Sequence, residues 1–210
     1  VRAFDWNEGF RDIMKNGGFD AVVGNHPYVR QESLKESKAY FQKTYEAFSG
    51  TGDLYTYFME RGVKLLKPGG RYSIIVSSSF LRATYAEALR AALRKHAAVH
   101  RIVDFGGLAV FADAKDTYVC IPLLIRGEQP RQIEVSKVQS LAPDQVWPEM
   151  SKTDFLVSND QLSRDGWMLR SESETILLRK IVDNSVQLGK YISGKMFYGI
   201  KTGFNDAFVI

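Results

Sequence analysis

The chain has 210 residues, of which 45% are hydrophobic and 25% are charged. This is the composition of a globular protein, so it excludes extended disorder and predicts one domain, or one domain and the beginning of another. The net charge of +4 permits a nucleic-acid partner because Lys and Arg neutralise phosphate charge, but it does not require one.

Further features of the sequence indicate the cellular setting. No stretch approaches the roughly 18 apolar residues of a membrane helix, and no signal peptide is visible. The single cysteine, Cys120, lies in an apolar run and cannot form an internal disulfide, which fits a reducing compartment. We therefore expect a cytoplasmic protein with no membrane partner. The chain begins without a methionine and stops inside an apolar run, so we also expect a piece of a longer protein.

Strand and helix signals alternate over the first 140 residues. Apolar residues at helical spacing predict one amphipathic helix that begins near Asp53 and ends before Pro68, and a second around residues 85–93. Short apolar runs predict strands over residues 19–23, 72–76, 99–105, 118–125 and, at an edge, 133–138. This order predicts an α/β fold with a parallel sheet and right-handed crossovers; the alternative is an antiparallel α+β domain.

Beyond about residue 140 the periodicity weakens. We expect residues 1–140 to form one domain, residues 141–187 to connect, and residues 188–210 to begin a second domain. Within the connector, Ser171 and Glu174 form a capping box that predicts a helix to about residue 183.

The tetrapeptide Asn25-His26-Pro27-Tyr28 directly follows the first predicted strand, which we expect to be buried. In open α/β sheets ligands bind at the carboxyl ends of strands, so this position favours a functional site. The alternative is an ordinary surface turn, because Asn and Pro are common where a strand ends.

These residue types suit methyl transfer to the exocyclic amine of adenine or cytosine, a poor nucleophile whose lone pair is delocalised into the ring. The side-chain oxygen of Asn25 and the backbone carbonyl of His26 are two acceptors that would stabilise the positive charge developing on the nitrogen. Pro27 fixes the local backbone. The ring of Tyr28 can stack on a base that has left the duplex.

These residues resemble the Eco57I-like and TaqI-like group of adenine-specific DNA methyltransferases, which includes single-chain restriction-modification enzymes of prokaryotes. The tetrapeptide stands where that family has Asn-Pro-Pro-Tyr, and the resemblance covers nearly the whole chain. It implies the carboxyl half of a Rossmann-like methyltransferase sheet in residues 1–140 and a target-recognition domain that begins at residue 188.

Further site residues follow from the resemblance. Asp5 would accept a hydrogen bond from the adenine amino group of S-adenosylmethionine, the implied methyl donor; the alternative is a helix or turn cap. Phe111 would enclose the flipped base together with Tyr28; the alternative is an ordinary core phenylalanine. Lys201 and Thr202, in the tail similar to the TaqI-like specificity domain, would meet DNA phosphate. No residue cluster has metal-ligand spacing, so we expect no metal.

His26 is a departure from the family pattern. Histidine keeps the backbone carbonyl but lacks the fixed φ of proline, and a protonated ring would place positive charge beside the reacting amine and slow transfer at low pH. We predict that His26→Pro raises the methylation rate. The family's glycine-containing cofactor strand is expected before Val1, so we expect these 210 residues alone to bind S-adenosylmethionine weakly.

The motif and the resemblance together imply a site-specific DNA methyltransferase that acts on double-stranded DNA by direct transfer, without a covalent enzyme intermediate. The choice of the adenine N6 amine is implied by the resemblance alone. One alternative is a catalytically impaired relative that binds DNA or a partner protein. Another is a Rossmann-like domain that acts on a small molecule.

Overall fold

The computed structural model describes residues 4–111 and 118–194, which contain one mixed six-stranded sheet. The strands are β1 Phe19–Asn25, β2 Leu66–Ser77, β3 Ala98–Asp104, β4 Val119–Ile125, β5 Gln132–Lys137 and β6 Phe155–Ser158. The helices are α1 Trp6–Gly9, α2 Arg11–Lys15, α3 Lys38–Thr44, α4 Tyr55–Lys64, α5 Glu87–His96, α6 Val146–Ser151, α7 Glu172–Asp183 and α8 Leu188–Tyr191. Short 3-10 helices occupy Gln31–Ser37, Ser78–Leu81, Thr84–Ala86 and Asn159–Gln161.

The strand order is β1-β2-β4-β3-β5-β6. β1 pairs with β2 and β3 pairs with β5 in parallel, whereas β4 and β6 run antiparallel to their neighbours. The α/β prediction is confirmed, but the expectation of a wholly parallel sheet is wrong for β4 and β6. The sequence between β3 and β4 carries no helical periodicity, so the chain returns directly beside β3, as antiparallel strands allow.

Hydrophobic clusters cover both faces of the sheet. The larger cluster joins α4 and α5 to one face, on which Ile74 and Val76 of β2 lie. The intervening residue, Ile75, packs against the smaller cluster, because successive strand side chains point to opposite faces. Phe111 is partly buried against that smaller cluster. Both faces of the sheet are therefore packed.

β1 is more exposed than the sequence predicts. Among the described residues it pairs only with β2, and Val23 keeps 80% of its surface exposed. The prediction of a buried strand is therefore wrong for β1 in this structure, because an apolar run does not reveal whether a strand has one neighbour or two.

The region after residue 140 adds to the same sheet. β6 pairs with β5, so β5 is an inner strand and not the predicted edge. Trp167 is fully buried, and its ring meets Phe80 at a centroid distance of 5.7 Å. The buried guanidinium of Arg90 donates hydrogen bonds to the backbone carbonyls of Arg164 and Asp165, at 2.8 and 3.1 Å. The described residues up to Ser171 consequently form one compact unit.

From Glu172 onward the described residues belong to a second compact unit. Its first helix, α7, lies where the capping box predicts it, beginning at Glu172 and ending at Asp183. Within the described ranges no helix combines the length and apolar character needed to cross a bilayer.

Candidate active site

The candidate site lies where three strands end at the same edge of the sheet. β1 ends at Asn25, which stands opposite Ile75, close to the end of β2 at Ser77. β3 runs in the same direction as β2, because both are antiparallel to β4. β3 therefore also ends at this edge, at Asp104. The chain from Asp104 to Phe111 therefore leaves the same edge of the sheet as the Asn25–Tyr28 motif, although β2 and β4 lie between β1 and β3.

Asn25, Pro27 and Tyr28 are exposed, whereas His26 is buried with 5% of its surface exposed. Asn25 and Pro27 border an apolar cavity of about 490 Å³. The side-chain amide of Asn25 is thus accessible to a ligand, which is the arrangement that its predicted role as an acceptor needs.

The buried ring of His26 packs among aromatic side chains. Its centroid lies 4.8 Å from that of Tyr28, 5.8 Å from Tyr55 and 6.1 Å from Phe58. The sequence predicts a change in backbone stiffness at His26 and a charged ring at low pH. It does not predict this packing, because the contacts involve a helix some 30 residues later in the chain.

The hydrogen bonding of His26 defines its tautomer. Nδ1 lies 3.0 Å from the carbonyl oxygen of Pro27, and a carbonyl only accepts, so Nδ1 carries the hydrogen. Burial lowers the pKa of His26, and the bond to Pro27 opposes part of that change. The neutral form is therefore favoured, and Nε2 is a buried acceptor without a hydrogen-bond partner in the described residues. This neutral ring places no positive charge near Asn25 at neutral pH.

Tyr28 and Phe111 are brought together, as the resemblance implies. Their ring centroids are 5.4 Å apart with an interplanar angle of 67°, an edge-to-face contact. Tyr28 is 44% exposed, and Phe111 is partly buried. A flat ring enters between them only if one of the two rings turns.

A polar cavity of about 290 Å³ adjoins Tyr28, near the end of β2 and the start of β4. Its lining residues are His26, Tyr28, Val29, Arg30, Asp53, Tyr55, Ser77, Ser79 and Tyr118. Asp53 was expected only to open a helix, yet its carboxylate accepts a hydrogen bond of 2.9 Å from the backbone N–H of Gln31. Burial raises the pKa of Asp53, although that hydrogen bond and the charge of Arg30 lower it. The sequence did not predict Ser77 and Ser79 as neighbours of the site. The pairing of β1 with β2 would have indicated them, because β2 ends at Ser77, on the same edge as Asn25.

The apolar cavity is built mainly from β1, α3, α4 and the aromatic residues Phe4 and Trp6 at the start of α1. Trp6, Phe58 and Val22 are among its lining residues, and Arg61 lies at its wall. His26 borders both cavities, so its ring stands between the apolar and the polar space.

Asp5 caps α1. Its Oδ1 accepts hydrogen bonds from the backbone N–H groups of Asn7 at 2.8 Å and of Glu8 at 3.3 Å. The helix-cap alternative is confirmed, and contact with a cofactor stays a prediction, since a carboxylate has a second oxygen.

The other predicted site residues, Lys201 and Thr202, lie outside the described residues. Across residues 4–111 and 118–194, no group of three His, Cys, Asp or Glu side chains is placed to hold a metal ion.

Known proteins share this sequence and fold. The family model described as Eco57I restriction-modification methylase matches residues 1–111. The type II methyltransferase M.BstVI of Geobacillus stearothermophilus is 26% identical, over 98% of this chain and 39% of that protein. The type II restriction enzyme and methyltransferase RM.Eco57I of Escherichia coli is 28% identical, over 93% of this chain and 20% of that protein. The crystal structure of the type IIG restriction endonuclease BpuSI aligns with a TM-score of 0.54 and 17% identity, over 81% of this chain and 23% of that one.

The chain thus spans between about a fifth and two fifths of the length of these two curated relatives. At 17% identity the BpuSI comparison shows a shared fold. The family model covers more than half of the 210 residues and includes the complete Asn25–Tyr28 motif as well as Phe111. On this match, the chain belongs to the Eco57I restriction-modification methylase family.

Proposed function

We propose that the protein carrying this chain is a site-specific DNA methyltransferase that methylates the N6 amine of a flipped adenine, as part of a restriction-modification system. The observation that carries the proposal is the Asn25–Tyr28 motif at the carboxyl edge of the sheet, in which Asn25 and Tyr28 are exposed and Phe111 lies against Tyr28. The names of the relatives, type II methyltransferases and a combined restriction enzyme and methyltransferase, support the same activity.

The acceptors of the motif suit an amine that becomes positively charged. The side-chain oxygen of Asn25 and the backbone carbonyl of His26 would each accept one hydrogen of the adenine amine. The backbones that carry both acceptors are held before the reaction, because Asn25 is paired in β1 and the ring of His26 is buried. Preorganised dipoles of this kind are often the largest contribution to catalysis. The neutral state of the His26 ring adds no repulsion to the developing charge.

The apolar cavity fits the methyl donor that the family resemblance implies. It adjoins Asn25, and the rings of Trp6 and Phe58 in its wall suit a purine base. S-adenosylmethionine supplies an electrophilic methyl group on a sulfonium when it is bound. Residues at the start of α1 and on α4 would hold its adenine, and the second carboxylate oxygen of Asp5 would accept a hydrogen bond from the adenine amino group.

Double-stranded DNA is the proposed substrate, and the target base must leave the stack to reach Asn25. Tyr28 and Phe111 would enclose the base after one ring turns. The exposed guanidinium of Arg30, two residues after Tyr28, would meet a neighbouring phosphate. We also propose that residues 188–210 begin the target-recognition domain, with Lys201 and Thr202 contacting phosphate.

A second candidate is favoured by His26. Its replacement of the family's proline removes a fixed φ next to an acceptor, so a relative that binds DNA without methylating it is the alternative function. Methylation and DNA binding must therefore be measured separately.

The test compares Asn25→Ala with the wild type in the protein that carries this chain, using labelled S-adenosylmethionine and unmodified DNA. We expect Asn25→Ala to lower the single-turnover rate by about 100-fold or more, because one fixed dipole is lost at the reacting amine. DNA affinity should be unchanged. The control is Asn16→Ala, an exposed asparagine at the end of α2, which should leave both quantities unchanged.

Two results separate the candidates. A wild type that binds DNA but transfers no methyl group supports the impaired relative. If Asn25→Ala methylates DNA as fast as the wild type does, the proposed role of the motif is contradicted.

A further inference from the structure

Asp53 connects the polar cavity to the chain segment that leaves the motif. It lies two residues before α4 and lines the cavity beside Tyr28 and Ser79. Its Oδ1 accepts the backbone N–H of Gln31 at 2.9 Å. Gln31 lies three residues after Tyr28, so one side chain links the start of α4 to the continuation of the motif.

A backbone hydrogen bond strengthens the same connection. The N–H of Leu54 donates to the carbonyl oxygen of Val29 at 3.1 Å. Residue 29 is therefore bound to residue 54, and residue 31 is bound to residue 53. Together the two bonds fix the direction in which the chain leaves Tyr28.

Lys38 provides a further link, through the side chain of Gln31. Its Nζ donates to the side-chain oxygen of Gln31 at 2.9 Å and to the backbone carbonyl of Gly50 at 2.6 Å. Gln31 is thus held through both its main chain and its side chain, and both links lead to the turn before α4.

The position of Tyr28 depends on the residues that precede it and follow it in the chain. On one side His26 is anchored by burial, and on the other side Val29 and Gln31 are anchored by these hydrogen bonds. The ring of Tyr28 itself is 44% exposed and contacts Phe111 only through an edge. An exposed ring must be held in advance if it is to receive a base without a large loss of conformational entropy.

We propose that Asp53 is a positioning residue of the active site, whose carboxylate holds residues 29–31 and thereby orients Tyr28 for the target base. The role of Tyr28 in this inference rests on the proposed function, whereas the hydrogen bond between Asp53 and Gln31 (the Asp53 tie) does not depend on it. An acceptor oxygen is what the tie requires, so an asparagine at this position preserves it.

The experiment compares Asp53→Ala and Asp53→Asn with the wild type, in the protein that carries this chain. Glu36→Ala serves as a matched control, because Glu36 is an exposed carboxylate in the same segment. Three quantities are measured: hydrogen exchange in a peptide spanning residues 27–33, single-turnover methylation, and DNA affinity.

We expect Asp53→Ala to accelerate amide exchange at Gln31 by about tenfold or more, because its N–H loses its acceptor. The single-turnover rate should fall by about 10- to 100-fold, while DNA affinity stays within about twofold. Asp53→Asn should retain protection of Gln31 and most of the rate. Glu36→Ala should match the wild type.

Three outcomes would overturn the proposal. Unchanged exchange in Asp53→Ala shows that Asp53 does not hold the segment. A rate that is unchanged while exchange accelerates shows that the tie does not orient Tyr28. A loss of rate in Asp53→Asn as large as in Asp53→Ala indicates that the carboxylate charge acts on the substrate directly. If the wild type methylates no DNA, the proposed function fails, and faster exchange in Asp53→Ala still supports the tie.

Discussion

His26 differs from the other residues of its motif because its side chain is buried while theirs are exposed. The sequence indicates that a backbone carbonyl exists at this position whichever residue stands there, and its role as an acceptor stays a prediction. It did not indicate the environment of the ring, because Tyr55 and Phe58 reach His26 only after α4 packs beside β1. Local patterns predict backbone roles well, whereas side-chain surroundings depend on tertiary contacts.

The pKa of His26 leads to a prediction about stability. Because burial lowers this pKa in the folded protein, the unfolded chain binds more protons once the pH falls below the ordinary value of 6.5. The contribution of the neutral ring is therefore complete above about pH 6.5 and is lost as the pH falls below it. We expect the wild type to lose more free energy of unfolding between pH 7.5 and pH 5 than His26→Pro, as measured by urea denaturation.

The comparison removes the effects of other titrating groups, since both proteins share them. Equal losses in the two proteins would show that His26 does not titrate as its burial implies. The same variant tests the rate prediction made from the sequence, for which a clear fall in methylation rate is the contrary result.

At the scale of the elements, α4 was predicted closely because its apolar periodicity is strong. β2 was predicted only in part, since it begins at Leu66, six residues before the predicted strand, and includes Pro68 and Gly69. The helix begins at Tyr55 and ends at Lys64, before the Pro68-Gly69 stop. The direction of β4 was not predicted, because an apolar run has the same pattern in parallel and antiparallel sheets. The Asp53 tie was also missed, since no local pattern reports a hydrogen bond between a helix start and a loop 22 residues earlier.

Close packing of α4 on β2 allows a prediction at this scale. A Cβ added at Gly62 would overlap the ring of Tyr72, which is almost fully buried between the helix and the strand. We expect Gly62→Ala to lower the free energy of unfolding by about 1–3 kcal/mol, because an overpacked core must shift. Gly127→Ala is the control, since a Cβ there meets no atom within 4 Å.

The free energies of unfolding of the two variants are measured by denaturant unfolding. If Gly62→Ala is as stable as Gly127→Ala, the helix does not pack on Tyr72 as closely as described. Because Asp53 lies just before α4, a shift of this helix should also be visible as faster amide exchange at Gln31.

At the scale of the whole molecule, the residues up to Ser171 form one unit, which extends past the boundary expected near residue 140. The sequence suggested a connector there because prolines and weak periodicity conceal a four-residue strand and a single buried tryptophan. Such short elements are stabilised by the sheet that they join, so their own sequence carries little signal.

The two tryptophans of that region provide a matched test. Trp167 is fully buried beside Phe80, whereas Trp147 is 69% exposed. We expect Trp167→Ala to lower the free energy of unfolding by about 3–5 kcal/mol. Trp147→Ala should change it by no more than about 0.5 kcal/mol. Equally small effects, measured by urea denaturation, would mean that the region after residue 140 is a loose connector after all.

The central claim concerns the product formed at the Asn25–Tyr28 motif. The most direct measurement incubates the protein that carries this chain with unmodified double-stranded DNA and S-adenosylmethionine, then digests the DNA and identifies the nucleosides by mass spectrometry. We predict N6-methyladenine as the methylated product. N4-methylcytosine or C5-methylcytosine in its place, or DNA that acquires no methyl group, would contradict the claim.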